Sequence, residues 1–295
     1  MSNKQDICII APAKLNLNLH IIRKDFDGYH FIKSHVCFIK LCDYIYISKS
    51  KKTSICQDKL NGSFTLNNET ILFKTLELFK EKFNWTQNFN IKFIKNIPIG
   101  GGLGGGSADA AALLLGLRLL FNVDTNHYRK IQIKDILKLA FSIGSDVPSC
   151  IYSKSLIIGK KGENISISKT PSEYKFLLIY PNTRLSTKKV FQALYKNKKS
   201  KPLATSSLEN IKIHNSLLQA ACSLEPKIEK TLKTLKSLKN ITAYGMTGSG
   251  STCFGIFKSS IDLKSALTSL PKDITDNFFI WHGNKKEFGY NRILY

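Results

Sequence analysis

Pro98-Ile99-Gly100-Gly101-Gly102-Leu103-Gly104-Gly105-Gly106-Ser107-Ala108-Asp109-Ala110-Ala111-Ala112 is the stretch around which this chain is organised. Six of these residues are glycine. A strand-like run, Phe89 to Ile94, precedes it, and a long apolar helical run, Ala110 to Phe121, follows it. Glycine lets backbone amides approach a ligand closely and adopt positive φ. A helix N-terminus adds unpaired N–H groups and a partial positive charge. Strand, glycine-rich turn and helix N-terminus in that order make a nest for an anion, most often phosphate. The loop is not of the Walker A type, because Ser107 follows Gly106 with no lysine between them. A GxGxxG fits formally at Gly100, Gly102 and Gly105, a weak match in a stretch so rich in glycine. The dinucleotide fingerprint also wants its strand to run straight into the first glycine, and Lys95-Asn96-Ile97-Pro98 intervenes here. The competing reading is a flexible glycine linker, but two strongly patterned elements are normally joined by short ordered connections.

At 295 residues the chain is long enough for two domains of ordinary size. Its 43% of hydrophobic residues suits a soluble globular protein. No apolar run reaches the roughly 18 residues of a membrane helix. Met1 to Asp6 is polar without a signal-peptide pattern, so a cytoplasmic protein is expected. Forty-four Lys and Arg against 21 Asp and Glu give a net charge of +23. That favours anionic partners: nucleic acid, a membrane surface or phosphorylated small molecules. The basic residues are spread along the chain, with only short clusters such as Lys196 to Lys201, so compositional bias plus anionic substrates is preferred to a nucleic-acid face. Seven cysteines with no CxxC fit reduced thiols.

Ile7 to Ile10 reads as a short apolar strand. Leu15, Leu17 and Leu19 then alternate with Lys14, Asn16, Asn18 and His20, the pattern of a half-buried strand. Its polar residues are solvated surface if the face is open, and ligand contacts if it lies in a cleft. Asp27-Gly28 is a turn signal followed by Tyr29 and His30, and Phe38 to Ser48 reads as β. An adjacent Tyr and His are either partial surface cover or groups that stack on and hydrogen-bond a base. Ser48 to Ser63 is polar and predicts a loop; Thr70 to Phe83 predicts an amphipathic helix with Ile71, Leu72, Leu76 and Phe79 as core residues. A second helix is expected over Ile133 to Ile143 and ends in Gly144 to Cys150. There Asp146 is either an Asx-type turn residue or a carboxylate held rigidly for chemistry. Leu156 to Gly159 and Ile165 to Ile167 read as strands around a basic turn.

A second unit begins near Lys161, dividing the chain into residues 1–160 and 161–295. It opens with a strand, Phe176 to Tyr180, and a short helix containing Val190, Phe191 and Leu194. A basic loop from Lys196 to Ser207 and a Lys/Leu helix from Ile228 to Leu238 follow. Gly245-Met246-Thr247-Gly248-Ser249-Gly250-Ser251 is a second glycine loop running into a β segment, and Asn277 to Trp281 reads as a final strand. No internal repeat is evident.

The Pro12-Ala13-Lys14-Leu15-Asn16 strand, the glycine-rich loop before a helix, and the Gly245 to Ser251 loop together resemble the GHMP kinase superfamily. Ala11 to Leu17, Asp27-Gly28-Tyr29-His30 and Gly144-Ser145-Asp146-Val147-Pro148 narrow the resemblance to its branch acting on a cytidine-diphosphate-linked methylerythritol in the non-mevalonate isoprenoid pathway. The likeness spans nearly the whole chain. It implies an α+β protein of two domains, the N-terminal one resembling a ribosomal-protein fold and the C-terminal one an α/β sandwich. The site is then in the cleft between them. It also implies transfer of the γ-phosphoryl of ATP to a hydroxyl, with Mg²⁺ expected. That reaction needs positioning, charge neutralisation and a base.

By that resemblance Asp146 is the base. Lys14 is its neighbour, keeping the carboxylate ionised and balancing developing negative charge. Lys95, Pro98, Gly100, Gly101, Gly102, Leu103, Gly104, Gly105, Gly106 and Ser107 are implied at ATP. Tyr29 and Phe191 match the positions that sandwich the cytosine, His30 the residue that reads its edge, and Asn16 a residue beside the substrate. Gly248, Ser249 and Gly250 are implied at the substrate as well. Flat rings suit stacking and an imidazole or amide suits reading donors and acceptors. Thr70 stands where many members carry Asn, no glutamate matches the metal-binding one of some relatives, and no metal ligand is assigned. Asp109 would repel phosphate unless it points away or reaches the metal through water. The partner implied is a small-molecule substrate, with no nucleic acid and no membrane, for a monomer or weak homodimer. A homoserine- or mevalonate-type kinase would have no use for a Tyr29/His30/Phe191 base sandwich. A basic RNA-binding protein would explain the charge but not two glycine loops with a placed Lys14 and Asp146.

Overall fold

The computed structural model describes residues 7–26, 29–59, 62–65, 70–124, 130–169, 173–196, 206–208 and 211–294. The expected Asp27-Gly28 turn, the polar segment Met1 to Asp6 and most of the basic stretch after Lys196 lie outside them. β1 (Ile7–Asn16), β2 (Asn18–Lys24) and β3 (His30–Ser50) open the chain, followed by β4 (Ser54–Lys59), β5 (Gly62–Thr65), α1 (Ile71–Phe83) and β6 (Asn88–Ile94). After the glycine loop come α2 (Gly105–Val123), α3 (Ile133–Ile143), α4 (Val147–Tyr152), β7 (Leu156–Lys160) and β8 (Asn164–Ile167). The rest runs β9 (Lys175–Tyr180), α5 (Thr187–Lys196), β10 (Ser206–Leu208), β11 (Ile211–Asn215), α6 (Leu218–Leu224) and α7 (Lys227–Ser237). It continues through β12 (Ala243–Met246), β13 (Cys253–Phe257), α8 (Ser260–Thr268), α9 (Lys272–Asn277), β14 (Phe279–Asn284) and β15 (Ile293–Leu294).

β3 is the spine of the larger sheet. Its 21 residues pair antiparallel with β2 and β7 near its start, with β1 over much of its length, and with β6 near its end. The smaller sheet is β12-β13-β9-β14, all antiparallel. Two strands from late in the chain join the larger sheet: β11 pairs in parallel with β2, and β15 pairs with β1. Ala108 and Ala110 to Leu117 of α2 are all buried, as expected of a helix apolar all round. Close packing on β1 and β3 requires Gly116, where a Cβ would overlap Ile47. A second cluster joins Leu177 and Ile179 of β9 to Leu235 of α7 and Phe257 of β13.

Three expectations need correction. The polar stretch Ser48 to Ser63 is the end of β3 followed by β4 and part of β5, not a loop. β4 lies parallel to β6, and the polar residues at its start bond across to it: Thr53 Oγ1, just before β4, donates to Asn88 Oδ1 and Ser54 Oγ to Asn90 Oδ1, both at 2.9 Å. Asn277 ends α9 instead of opening a strand, because Pro271 starts a helical turn there; β14 begins at Phe279. The Lys14 to His20 segment is not half-buried at its start: Lys14 and Asn16 are as enclosed as the leucines between them, since both glycine loops cover that face. α2 has the length and mean hydropathy of a membrane-crossing helix, although Asp109 and Arg118 interrupt its apolar residues, and 67% of that window is buried inside the fold.

Candidate active site

The first glycine loop is sewn to the second half of the chain through its carbonyls. Ile99 O accepts from Tyr180 Oη at 3.1 Å, Gly100 O from Leu185 N at 3.3 Å, Gly101 O from Thr252 N at 3.1 Å, and Gly102 O from Thr247 Oγ1 at 3.4 Å. A trans peptide points its N–H opposite to its C=O. The amides of Gly100, Gly101, Gly102 and Leu103 therefore turn away from those contacts, and all four residues line the cleft. Gly102 has φ +78°, and a Cβ there would stand 2.5 Å from Thr247 O, so the two loops touch backbone to backbone. Gly104 caps α2 in the left-handed region at φ +65°. The first intrahelical bond runs from Ala108 N to Gly104 O at 2.9 Å, so the amides of Gly105, Gly106 and Ser107 precede the helical ladder and can meet an anion.

Lys14 runs under Gly104, where an added Cβ would lie 3.3 Å from its own Cβ, and its backbone N–H donates to Leu103 O at 2.9 Å. Its ammonium lies 2.5 Å from Asp146 Oδ1, with side-chain exposures of 4% for Lys14 and 42% for Asp146. Asp146 occupies the N-cap position of α4, with Pro148 in the first turn, but its side chain makes no capping hydrogen bond. Its carbonyl accepts from Ser149 Oγ at 2.8 Å and Cys150 N at 3.2 Å. The backbone thus fixes the residue while the carboxylate faces Lys14 and the cleft. The other end of α4 is also held: the Arg292 guanidinium donates to Cys150 O at 2.8 Å and to Ser153 Oγ.

The same cleft, of about 1260 Å³, contains Tyr29, His30 and Phe191. His30 packs on Phe191, with ring centroids 4.5 Å apart and planes at 32°. It is the imidazole that covers this face of Phe191, while Tyr29 is 62% exposed with Lys161 Nζ 5.7 Å from its ring centroid. Burial first, then Lys24, holds the His30 pKa below its usual value. Asn16 donates from its backbone N–H to Thr247 Oγ1 at 2.9 Å and from Nδ2 to Ser34 Oγ at 2.8 Å. Gly248 and Ser249 line the cleft. Gly250 does not: it packs behind the loop against Met246, Leu185 and Ile228.

Residues 70–154 match the family profile "GHMP kinases N terminal domain" and residues 201–274 match "GHMP kinases C terminal". A relative from Ruthia magnifica named 4-diphosphocytidyl-2-C-methyl-D-erythritol kinase is 36% identical over 267 residues, covering 89% of this chain and 90% of its own. A relative of the same name from Wolbachia pipientis is 32% identical over 282 residues, covering 91% and 95%. The chain belongs to the 4-diphosphocytidyl-2-C-methyl-D-erythritol kinase family of the GHMP kinases. A crystal structure of a 4-(cytidine 5′-diphospho)-2C-methyl-D-erythritol kinase superposes with a TM-score of 0.75 at 24% identity, covering 94% of this chain and 98% of the other, so the fold is shared as well. GHMP kinases use ATP as phosphate donor, and this chain is accordingly an ATP-dependent small-molecule kinase.

In this GHMP kinase several cleft residues escape the sequence reading. Asp43, which stands behind the loop, is fully buried and pairs with Lys95. The signal was present: it is a lone carboxylate in the apolar run Cys37 to Ile47. Asp109 does not confront the phosphate loop with a bare charge, since Lys95 Nζ sits 2.6 Å from its Oδ2. Thr70 serves as the N-cap of α1, accepting from Phe73 N at 3.4 Å, a role the hydroxyl fills as well as an amide would. Lys24, Lys161 and Lys188 add positive charge to the cleft wall. No group of three or more His, Cys, Asp or Glu able to hold a metal occurs among the described residues.

Proposed function

We propose that this kinase transfers the γ-phosphoryl of ATP to a hydroxyl of 4-diphosphocytidyl-2-C-methyl-D-erythritol, giving the 2-phosphate. The Lys14–Asp146 pair supports this most, because it stands beside a glycine loop of phosphate-binding form in the cleft that also holds Tyr29, His30 and Phe191. In this reading the substrate oxygen attacks the γ-phosphorus, its proton passes to Asp146, and the bond to the β,γ-bridging oxygen breaks to release ADP. Lys14 pairs with Asp146 and faces the charge that builds on the transferring group. The loop amides and the α2 N-terminus hold the phosphates, with Lys95 beside them.

Mg²⁺ commonly binds through one or two carboxylates plus substrate phosphates. Asp109 fits that pattern, because its Oδ1 is buried with no hydrogen-bond partner and the residue lines the cleft. Asp109 and Ser107 are the residues that would hold the ion, which supplies neutralising charge to the phosphates. The loop and the base belong to the N-terminal unit, and Phe191 and Ser249 to the C-terminal one, divided near Lys161. The same reading gives a cytoplasmic monomer or weak homodimer with no nucleic-acid or membrane partner.

Phosphorus NMR of the reaction with Mg-ATP tests the proposal: a new phosphomonoester on the erythritol 2-oxygen is expected, and release of inorganic phosphate alone would refute it. His30→Ala is expected to raise the KM of the cytidylated substrate about ten- to hundredfold, the cost of one buried polar contact, with the KM of ATP unchanged. Burial holds the His30 pKa below its usual value, which favours the neutral imidazole with one donating and one accepting nitrogen. Protonation turns the acceptor into a donor, so the KM of the cytidylated substrate should stay level through the ordinary imidazole range and rise only at more acid pH, and steady-state kinetics across pH checks it.

A further inference from the structure

Asp43 is fully buried within β3. Its Oδ1 accepts two backbone N–H groups, from Asn96 at 2.6 Å and Ile97 at 2.8 Å, and its Oδ2 pairs with Lys95 Nζ. One carboxylate therefore ties three consecutive residues, those leading from β6 to the phosphate loop. Lys95 also reaches Asp109 on α2. A Cβ built on Gly105 would lie 3.3 Å from Lys95 Nζ, which places the ammonium beside the first residue of that helix.

The two acids differ. Asp43 makes three bonds, two of them to backbone, whereas Asp109 keeps Oδ1 without a partner. Two buried acids around one lysine cost desolvation energy that well-packed apolar side chains would not. We propose that Asp43 is a positioning residue for the nucleotide: it holds the Lys95 ammonium in place at the start of the phosphate-loop helix. The proposal rests on the reading that ATP phosphates lie at this loop. Asp43 touches no ligand itself and acts through Lys95.

The test is calorimetric titration of the full chain with a non-hydrolysable ATP analogue and Mg²⁺, for wild type, Asp43→Asn, Lys95→Met and the double variant. Asp43→Asn keeps an oxygen for the two backbone amides and replaces the charged acceptor of Lys95 with a neutral amide. Each single variant is expected to weaken binding about tenfold, the worth of one charge-assisted hydrogen bond. The double variant should bind no more weakly than Lys95→Met alone. Wild-type affinity in Asp43→Asn, or a double variant showing the full product of the two losses, would overturn the proposal. Thermal unfolding gives a second readout. Lys95→Met leaves two buried acids facing each other, so adding Asp43→Asn should raise its melting temperature. That comparison shows that Lys95 is what holds the two acids together, and a double variant melting no higher than Lys95→Met would overturn this; where Asp43→Asn alone does not fold, analogue binding by the double variant against Lys95→Met still reads the nucleotide role, and a further loss of affinity there would overturn the proposal. No phosphoryl acceptor is present, so failure of the proposed substrate in turnover is seen separately.

Discussion

Asp146→Asn lowers turnover about 10²–10⁴-fold, the usual contribution of a positioned general base, while leaving nucleotide affinity and melting temperature near wild type. The structure explains why the effect is confined to chemistry. The Asp146 side chain caps nothing, and its backbone alone holds it at the start of α4. Asparagine keeps an oxygen where Lys14 now finds Asp146 Oδ1 at 2.5 Å, so the buried ammonium retains an acceptor. What disappears is the ability to take a proton. Stopped-flow turnover beside equilibrium binding of the ATP analogue checks this. Turnover within about tenfold of wild type would remove Asp146 from the base role.

Gly102→Ala damages both halves of the site together. The added methyl would stand 2.5 Å from Thr247 O and 2.9 Å from both Gly250 N and Gly250 O, none of them able to swing away as a side-chain tip could. The residue also sits at φ +78°, where a side chain is disfavoured. Overpacking and backbone strain together are expected to cost about 2–4 kcal/mol. The losses should appear in the KM of ATP and of the acceptor alike, because the two loops are pushed apart. Gly106→Ala is the control: its methyl would meet only Ile71 Cγ2, at 3.8 Å. Thermal melts of the two variants separate the cases. Equal melting temperatures would mean that the loops do not depend on this contact.

The parts of the fold legible in sequence were those written in local pattern. α1 and α3 follow from helical spacing, with Thr70 and Gly144 bounding them as their residue types suggest. The phosphate loop follows from its glycines, and three of them adopt positive φ. Pairing between distant segments was not legible. β4 was hidden because the polar residues at its start, Thr53 and Ser54, are satisfied by Asn88 and Asn90 of β6, a partner that periodicity cannot name. The burial of Lys14 and Asn16 depends on a lid supplied by Leu103 and Thr247, the latter more than 200 residues away. Asp43 was missed for the same reason: a carboxylate in an apolar strand is conspicuous, but the lysine and amides it serves lie some fifty residues on. Tyr29, His30 and Phe191 line one cleft, and the direct packing of His30 on Phe191 is a tertiary detail that sequence does not carry.

The most direct measurement is kcat/KM for ADP release with Mg-ATP and three acceptors in turn: 4-diphosphocytidyl-2-C-methyl-D-erythritol, homoserine and mevalonate. A cleft with a base-recognition wall opposite its phosphate loop should turn over the cytidylated alcohol at least about 10³-fold better than either small acid, since both lack the group that His30 and Phe191 would bind. Comparable or better turnover of homoserine or mevalonate would contradict that arrangement and leave only the phosphate loop and the Lys14–Asp146 pair standing.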